Sequence, residues 1–323
     1  MATATNPAEP AAAEIKAIPV RHPGRWVASA VVLLLSAMFV HMLFTNDAFQ
    51  WAFIRDNALS EPVMTGAKNT LILTALSMFF GITLGIILAV MRLSPNPVLS
   101  GGAWVYVWFF RAVPRVVLLI LFGNLGVLYA QYDVGIPFDR QIADLFGLSF
   151  DGRFFGVSAN TILTAFVAAL LGLALSEAAY MAEIVRAGIS SIDEGQTEAA
   201  QALGMSRGRS MRRIVLPQAM RVIVPPTGNE TIAMVKDTAL VAFVPYYELF
   251  FQLQAIGSRT FQLFPMLVAA CLWYLAITSV LRVGQHVLER RNARGTRRGT
   301  DRADRRSLLR VLRRQPSNGG KDA

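Results

Sequence analysis

Glu198–Ala199–Ala200, three residues, Gly204, nine residues, Ile214, one residue, Leu216–Pro217: this is the stretch on which the reading of the chain turns. Residues 196–203 favour a helix, and Gly204 stands where a helix ends in a left-handed residue. Ser206 can cap a second helix, which carries Arg207, Arg209, Arg212 and Arg213. Pro217 interrupts the chain before the next apolar run. Two short helices joined by a glycine turn make a compact knob, and its basic flank suits docking to another protein.

The surroundings of the knob are apolar. Of the 323 residues 54% are hydrophobic and 16% charged, against about 25% charged in an ordinary soluble domain. A membrane span needs roughly 20 apolar residues. Runs of that kind lie at residues 27–44, 69–91, 113–130, 157–176, 227–247 (interrupted) and 264–283, with the third starting earlier if residues 104–110 belong to it. The expected fold is all-α, a polytopic bundle of about six transmembrane helices. The first run is long enough to span and has no small-residue cleavage site, so it reads as an uncleaved helix, not a signal peptide. Gly81 and Gly85 form a GxxxG pair of the kind that lets helix backbones approach.

Charge placement tests this topology. If the termini and the knob lie inside, the inside segments hold 25 of the 31 Lys and Arg, while the outside segments hold only Arg55, Arg140, Arg153 and Arg259. The positive-inside rule then puts both termini in the cytoplasm. From Arg282 onward there are 13 basic and 4 acidic residues. A basic tail beside a span marks the cytoplasmic side more than a nucleic-acid site. Residues 307–314 form a short amphipathic stretch suited to anionic lipid. The single cysteine, Cys271, lies in an apolar run and reads as a packing residue.

The knob resembles the EAA loop of ABC importer permeases. Its flanks narrow the likeness: Ala179–Tyr180–Met181–Ala182–Glu183–Ile184–Val185–Arg186–Ala187–Gly188–Ile189 before it, and Pro225–Pro226–Thr227–Gly228–Asn229–Glu230 with Lys236–Asp237–Thr238 after it. They are similar to the polar amino acid permeases of the histidine, glutamine and glutamate type, and the likeness covers about residues 63–290. One departure stands out. Where the family commonly has Phe-Arg-Gly-Thr-Pro, this chain has Phe110–Arg111–Ala112–Val113–Pro114, followed by Arg115. Arg115 either snorkels to the interface or changes a contact to a partner subunit or ligand.

The resemblance implies a type I ABC importer permease, in the bacterial cytoplasmic membrane. Residues 1–26 would be a disordered cytoplasmic leader, 27–62 an added first helix with its external loop, 63–288 the permease domain with the EAA loop at 181–221, and 289–323 a basic disordered tail. The implied partners are ABC ATPase subunits that bind ATP and Mg, a second permease subunit (identical or related), and an extracytoplasmic solute-binding protein. The implied cargo is an amino acid, polar and of a glutamate-like kind, or alternatively an opine- or cystine-like derivative. Glu198, Ala199, Ala200, Gly204, Ile214, Leu216 and Pro217 would couple the ATPases to the helices, with Glu198 and Ala200 facing the ATPase.

The chain has no G-x-x-x-x-G-K-[ST] phosphate loop and no HExxH or Ser/His/Asp arrangement, so ATP hydrolysis is expected on another subunit. His22, His41 and His286 are too scattered for a membrane-embedded enzyme site, and a passive channel would not need the knob. Ionisable groups within spans usually face a cavity or a partner. Glu230 and Asp237, seven apart, share one helix face. They are candidates to meet the α-ammonium of a substrate. Lys236 would meet a carboxylate or pair with an acid, and Asn69 and Thr70 would add neutral hydrogen bonds.

Overall fold

The computed structural model describes residues 23–128, 131–135, 138–147, 152–158, 161 and 163–293. Most of the expected leader and tail, including the amphipathic stretch at 307–314, lies outside the described residues. The chain falls into two units, ending and beginning at Gln50 and Trp51. The first holds α1 (Pro23–Thr45), an apolar helix long enough to span, and a 3-10 turn at Asp47–Phe49.

The second unit is built from helices: α2 (Trp51–Asn57), α3 (Glu61–Arg92), α4 (Pro97–Ala112), α5 (Arg115–Gly123), α6 (Leu125–Leu128), α7 (Asp139–Phe146), α8 (Ala165–Ser190), α9 (Glu194–Ala202), α10 (Arg207–Ser210), α11 (Leu216–Asp237), α12 (Leu249–Thr260) and α13 (Leu263–Ala293). A π-helical turn at Met211–Val215 joins α10 to α11, and a 3-10 turn at Thr238–Phe243 follows α11. Between α6 and α8 the chain also forms an antiparallel pair, β1 (Gln131–Gly135) and β2 (Arg153–Ser158).

The all-α bundle is as expected, but several boundaries move. Among the described residues four helices are long and apolar enough to span, and the bent pair α4–α5 makes a fifth. The third expected span, 113–130, contains the second helix of that pair, α5, which is bent by 98° from α4. The cause is local: Pro114 forces Val113 into extended backbone (φ −86°, ψ 129°), which ends α4. The fourth, 157–176, starts too early, because Phe154, Phe155 and Val157 belong to β2 and α8 begins only at Ala165, capped by Thr164. Pro225 and Pro226, just before the expected interrupted run at 227–247, do not break the helix. Both prolines lie inside the continuous helix α11, and Gln285 of α13 packs there, donating to the Pro225 carbonyl at 3.2 Å. The break comes twelve residues later, at the 3-10 turn.

α8 is the centre of the bundle. Its small residues Ala168, Ala169, Gly172, Ala178, Ala179 and Ala182 let neighbours close in. α3 lies along it through the GxxxG pair. A Cβ on Gly85 would sit 2.5 Å from the Met181 Cβ, and one on Gly81 would sit 2.8 Å from Glu177 Cβ. Leu73, Leu119, Leu173 and Met234 fill the space between α3, α5, α8 and α11. Val107 of α4 packs on Leu88, Ala178 and Ala182. A second core joins α3, α12 and α13 through Val63, Leu249, Leu253 and Met266. The outward faces stay apolar, as Phe79, Ile87 and Val90 on α3 show, which suits lipid or another subunit as neighbour.

Candidate functional site

The knob forms as its sequence dictates. Asp193 caps α9, its carboxylate accepting from the Gly195 N–H at 2.7 Å. Gly204 has φ +76°. Its N–H donates to Gln201 O at 2.9 Å and the Met205 N–H to Ala200 O at 3.0 Å, the two bonds of a Schellman stop. Ser206 occupies the N-cap of α10 without a side-chain cap bond. Ala200 is 1% exposed, so its methyl packs under the knob, and the expected pairing of Glu198 with Ala200 on the outward face does not hold. Glu198, Ala199 and the 82%-exposed Leu203 face outward instead. Ile214 is half-buried, and Leu216 and Pro217 are exposed where α11 begins.

The second assembly lies in the bundle. Arg115, the first residue of α5 after the bend, meets three carboxylates. It donates to Glu177 of α8 at 2.9 Å, makes a short contact to Asp237 at the end of α11, and lies 3.9 Å from Glu230, two turns earlier on α11. Its side chain is only 12% exposed. It therefore does not snorkel; the bend aims it inward. Its guanidinium also stands 4.8 Å from the centre of the Tyr180 ring. Three carboxylates around one guanidinium leave a formal charge of −2. Glu177 is fully buried, and its Oε1 has no hydrogen-bond partner. A buried unpaired carboxylate oxygen is costly.

Among the sequence-predicted path residues the structure brings Glu230 and Asp237 together on one face. Lys236 points away, exposed and without an ion pair among the described residues. Asn69 and Thr70 sit elsewhere. Asn69 donates to Tyr247 O at 2.8 Å. Thr70, fully buried, donates to Glu248 Oε2 at 3.2 Å and accepts from the Leu249 N–H at 3.1 Å. Glu248 caps α12, accepting from the Phe251 N–H at 2.6 Å and the Tyr274 hydroxyl at 3.1 Å. This second buried carboxylate accepts from three donors, on Thr70, Phe251 and Tyr274, and reads as the tie between α3, α12 and α13. Glu177 was missed by sequence reasoning. The expected span ended at Ser176, one residue before it, and its signal was a carboxylate in a run of Ala and Leu.

The comparisons agree with this architecture. Residues 81–294 match the family described as binding-protein-dependent transport system inner membrane component. The arginine transport system permease protein ArgU of Corynebacterium glutamicum is 46% identical over 286 residues, covering 88% of this chain and 85% of that protein. The probable amino-acid ABC transporter permease protein YckA of Bacillus subtilis is 35% identical, covering 76% and 98%. The crystal structure of an amino acid ABC transporter with histidines superposes with a TM-score of 0.56 at 31% identity, covering 71% of this chain and 94% of that one. The MetNI methionine transporter in an inward-facing form, at 22% identity and a TM-score of 0.51, shares the fold. The chain therefore belongs to the binding-protein-dependent transport system inner membrane components, as a membrane-spanning permease subunit on their amino-acid ABC permease branch.

Proposed function

We propose that this permease carries amino acids with a positively charged side chain, and that Glu177, Glu230 and Asp237 line their path. The observation that carries the reading is the net −2 cluster with a fully buried, unpartnered Glu177 oxygen. A cation is the cargo that such a cluster stabilises, and a glutamate side chain is the one it repels. The name of the Corynebacterium relative, an arginine transport permease, points the same way. In this reading the knob seats an ABC ATPase that binds ATP and Mg. A second permease subunit completes the pore, a solute-binding protein delivers the amino acid from outside, and both termini lie in the cytoplasm. Glu198, Ala199 and Leu203 make the docking face. Ala200, Gly204, Ile214, Leu216 and Pro217 hold its shape and join it to α11.

The test is uptake in proteoliposomes holding the assembled complex. Labelled arginine and lysine should enter and glutamate should not. The near-isosteric Asp237→Asn and Glu230→Gln should each lower arginine uptake and substrate-stimulated ATPase about tenfold or more. Wild-type rates in both variants would remove these carboxylates from the path.

A further inference from the structure

The connection between α6 and α8 carries an apolar face that its own chain leaves open. α7 is closed by a left-handed residue at each end, Phe138 and Gly147, both at φ +64°. Ile142, Leu145 and Phe146 fall on one face of the helix, about 100° wide. Phe138 stands one turn before Ile142, its carbonyl accepting from the Ile142 N–H at 2.8 Å. These four residues keep 43–79% of their surface exposed. Asp144 is exposed on the reverse side, and Ala143, off the apolar face, is buried. The helix therefore leans on its own chain beside the stripe and turns the stripe outward.

Position, area and chemistry decide what covers it. α8 runs from Ala165 to Ser190, where the knob begins, a length of about 39 Å, enough to cross about 30 Å of hydrocarbon. α7 precedes α8 and so lies at the membrane surface opposite to the knob. β1 starts three residues after α6 and pairs with β2. A strand of five residues is about 17 Å long, so α7 stays within a short reach of the bilayer. The four residues expose on the order of 500 Å², whereas a stable protein interface takes about 800 Å² from each partner. β2 adds no wider face, because Phe154 and Phe155 are consecutive and point to opposite sides of the strand pair. The stripe itself is Phe, Ile, Leu and Phe without a cation, and Asp139 and Asp144 lie off it. That is the pattern of a helix lying in the plane of a membrane surface.

We propose that α7 lies flat in the leaflet opposite to the knob, with Phe138, Ile142, Leu145 and Phe146 among the upper acyl chains and Asp144 toward water. The attraction is apolar. With no Lys or Arg in the stripe, the acyl chains are its ligand and headgroup charge is not. The β1–β2 pair links α7 to α6 on one side and to α8 on the other. The seated helix therefore sets the height of the connection between α6 and α8 relative to the lipid.

The experiment measures depth. Cys271 is the single cysteine of the chain, so a Cys271→Ser background accepts one spin label, at Leu145→Cys or at Asp144→Cys. The permease–ATPase complex is placed in phosphatidylcholine nanodiscs without binding protein. Electron paramagnetic resonance then reads how far dissolved oxygen and a water-soluble nickel chelate reach each label. The Leu145→Cys label should be open to oxygen and shielded from nickel, at a depth of about 5–10 Å. The Asp144→Cys label should be open to nickel. Adding Phe138→Ser and Phe146→Ser should return the Leu145→Cys label to water. Adding phosphatidylglycerol, or raising the salt, should leave its depth unchanged. Equal nickel access at the two positions would put the stripe in water. Shielding of the Leu145→Cys label from both reagents would put it against protein, a second copy or another part of the complex. Insertion that needs phosphatidylglycerol would make the attraction electrostatic, and depth that survives both serine substitutions would belong to the label. Each of these four results overturns the proposal.

Discussion

Replacing Arg115 with Met keeps an apolar stem of similar length and removes only the guanidinium. The three carboxylates it meets do not lose equally. Asp237 and Glu230 keep 32% and 26% of their side-chain surface exposed, so water screens them and their pairs with Arg115 contribute at most about 1 kcal/mol each. Glu177 has no exposed surface, its Oε1 is already unpartnered, and the bond from Arg115 is the one its Oε2 receives. Breaking such a buried pair by removing one partner costs about 3–5 kcal/mol. At about 2–4 °C per kcal/mol for a domain of this size, the midpoint of thermal unfolding should fall by roughly 6–20 °C. The double variant Arg115→Met/Glu177→Gln carries no buried charge at either position and should recover at least half of that fall. The assay is thermal unfolding of the purified, detergent-solubilised protein followed by tryptophan fluorescence, on both single variants and the double. A single Arg115→Met variant within about 2 °C of wild type would refute the reasoning, since about 3 kcal/mol cannot hide in so small a shift. So would a double variant as labile as Arg115→Met, because the loss would then come from packing and not from an orphaned charge.

Two further outcomes follow from glycines. Gly204→Val forces a β-branched residue to a positive φ at a local cost of about 1–3 kcal/mol, and should let the subunit reach the membrane while raising the ATP hydrolysed per amino acid imported. Gly204→Asn should stay coupled, since Asn tolerates this conformation and a Cβ there would meet no atom within 4 Å. Coupled transport by the valine variant would show that the knob's stop is dispensable. Gly85→Val drives a side chain into the Met181 Cβ and the Ala178 carbonyl, and should lower the unfolding midpoint by the equivalent of about 1–3 kcal/mol. Gly101→Ala on α4, where nothing lies within 4 Å, should leave it unchanged, and equal midpoints for the two would count against close α3–α8 packing.

What was legible in the sequence was what short-range physics decides. The knob's helix former and glycine stop appear where the residues place them, and Ser206 takes the N-cap position without making the cap bond, while the capping side chain that does bond is Asp193. The helices α3 and α13 are long apolar runs that no alternative competes for. Short apolar runs are different. Phe154, Phe155 and Val157 suit a strand as well as a span, and pairing with residues 131–135 decided between them. Pro225 and Pro226 argue for a break on local grounds, but tight packing of Gly228 against Gln285 holds α11 through them. Pro114 was visible, but the 98° bend it permits depends on where α4 and α5 each find neighbours. The site was half legible. The seven-residue spacing of Glu230 and Asp237 put them on one face, whereas their meeting with Arg115, 122 residues from Asp237 in the chain, is a tertiary fact. Glu177 was hidden because the expected span stopped at Ser176, one residue short of it, whereas α8 runs on to Ser190.

The order of elements around the knob has a mechanical consequence. α8 runs into the knob and α11 runs out of it, so the two helices are the arms of one hairpin with the docking surface at its tip. Glu177 lies about 20 Å up one arm, measured from Ser190, and Glu230 lies about as far up the other, measured from Leu216. Arg115 belongs to neither arm. A tilt of about 5° between arms of that length shifts their far ends by about 2 Å. That displacement is as large as the difference between a hydrogen-bonded ion pair and a broken one. The spread of the hairpin is thus gauged against a third, separate element, and the gauge is a bond to Arg115.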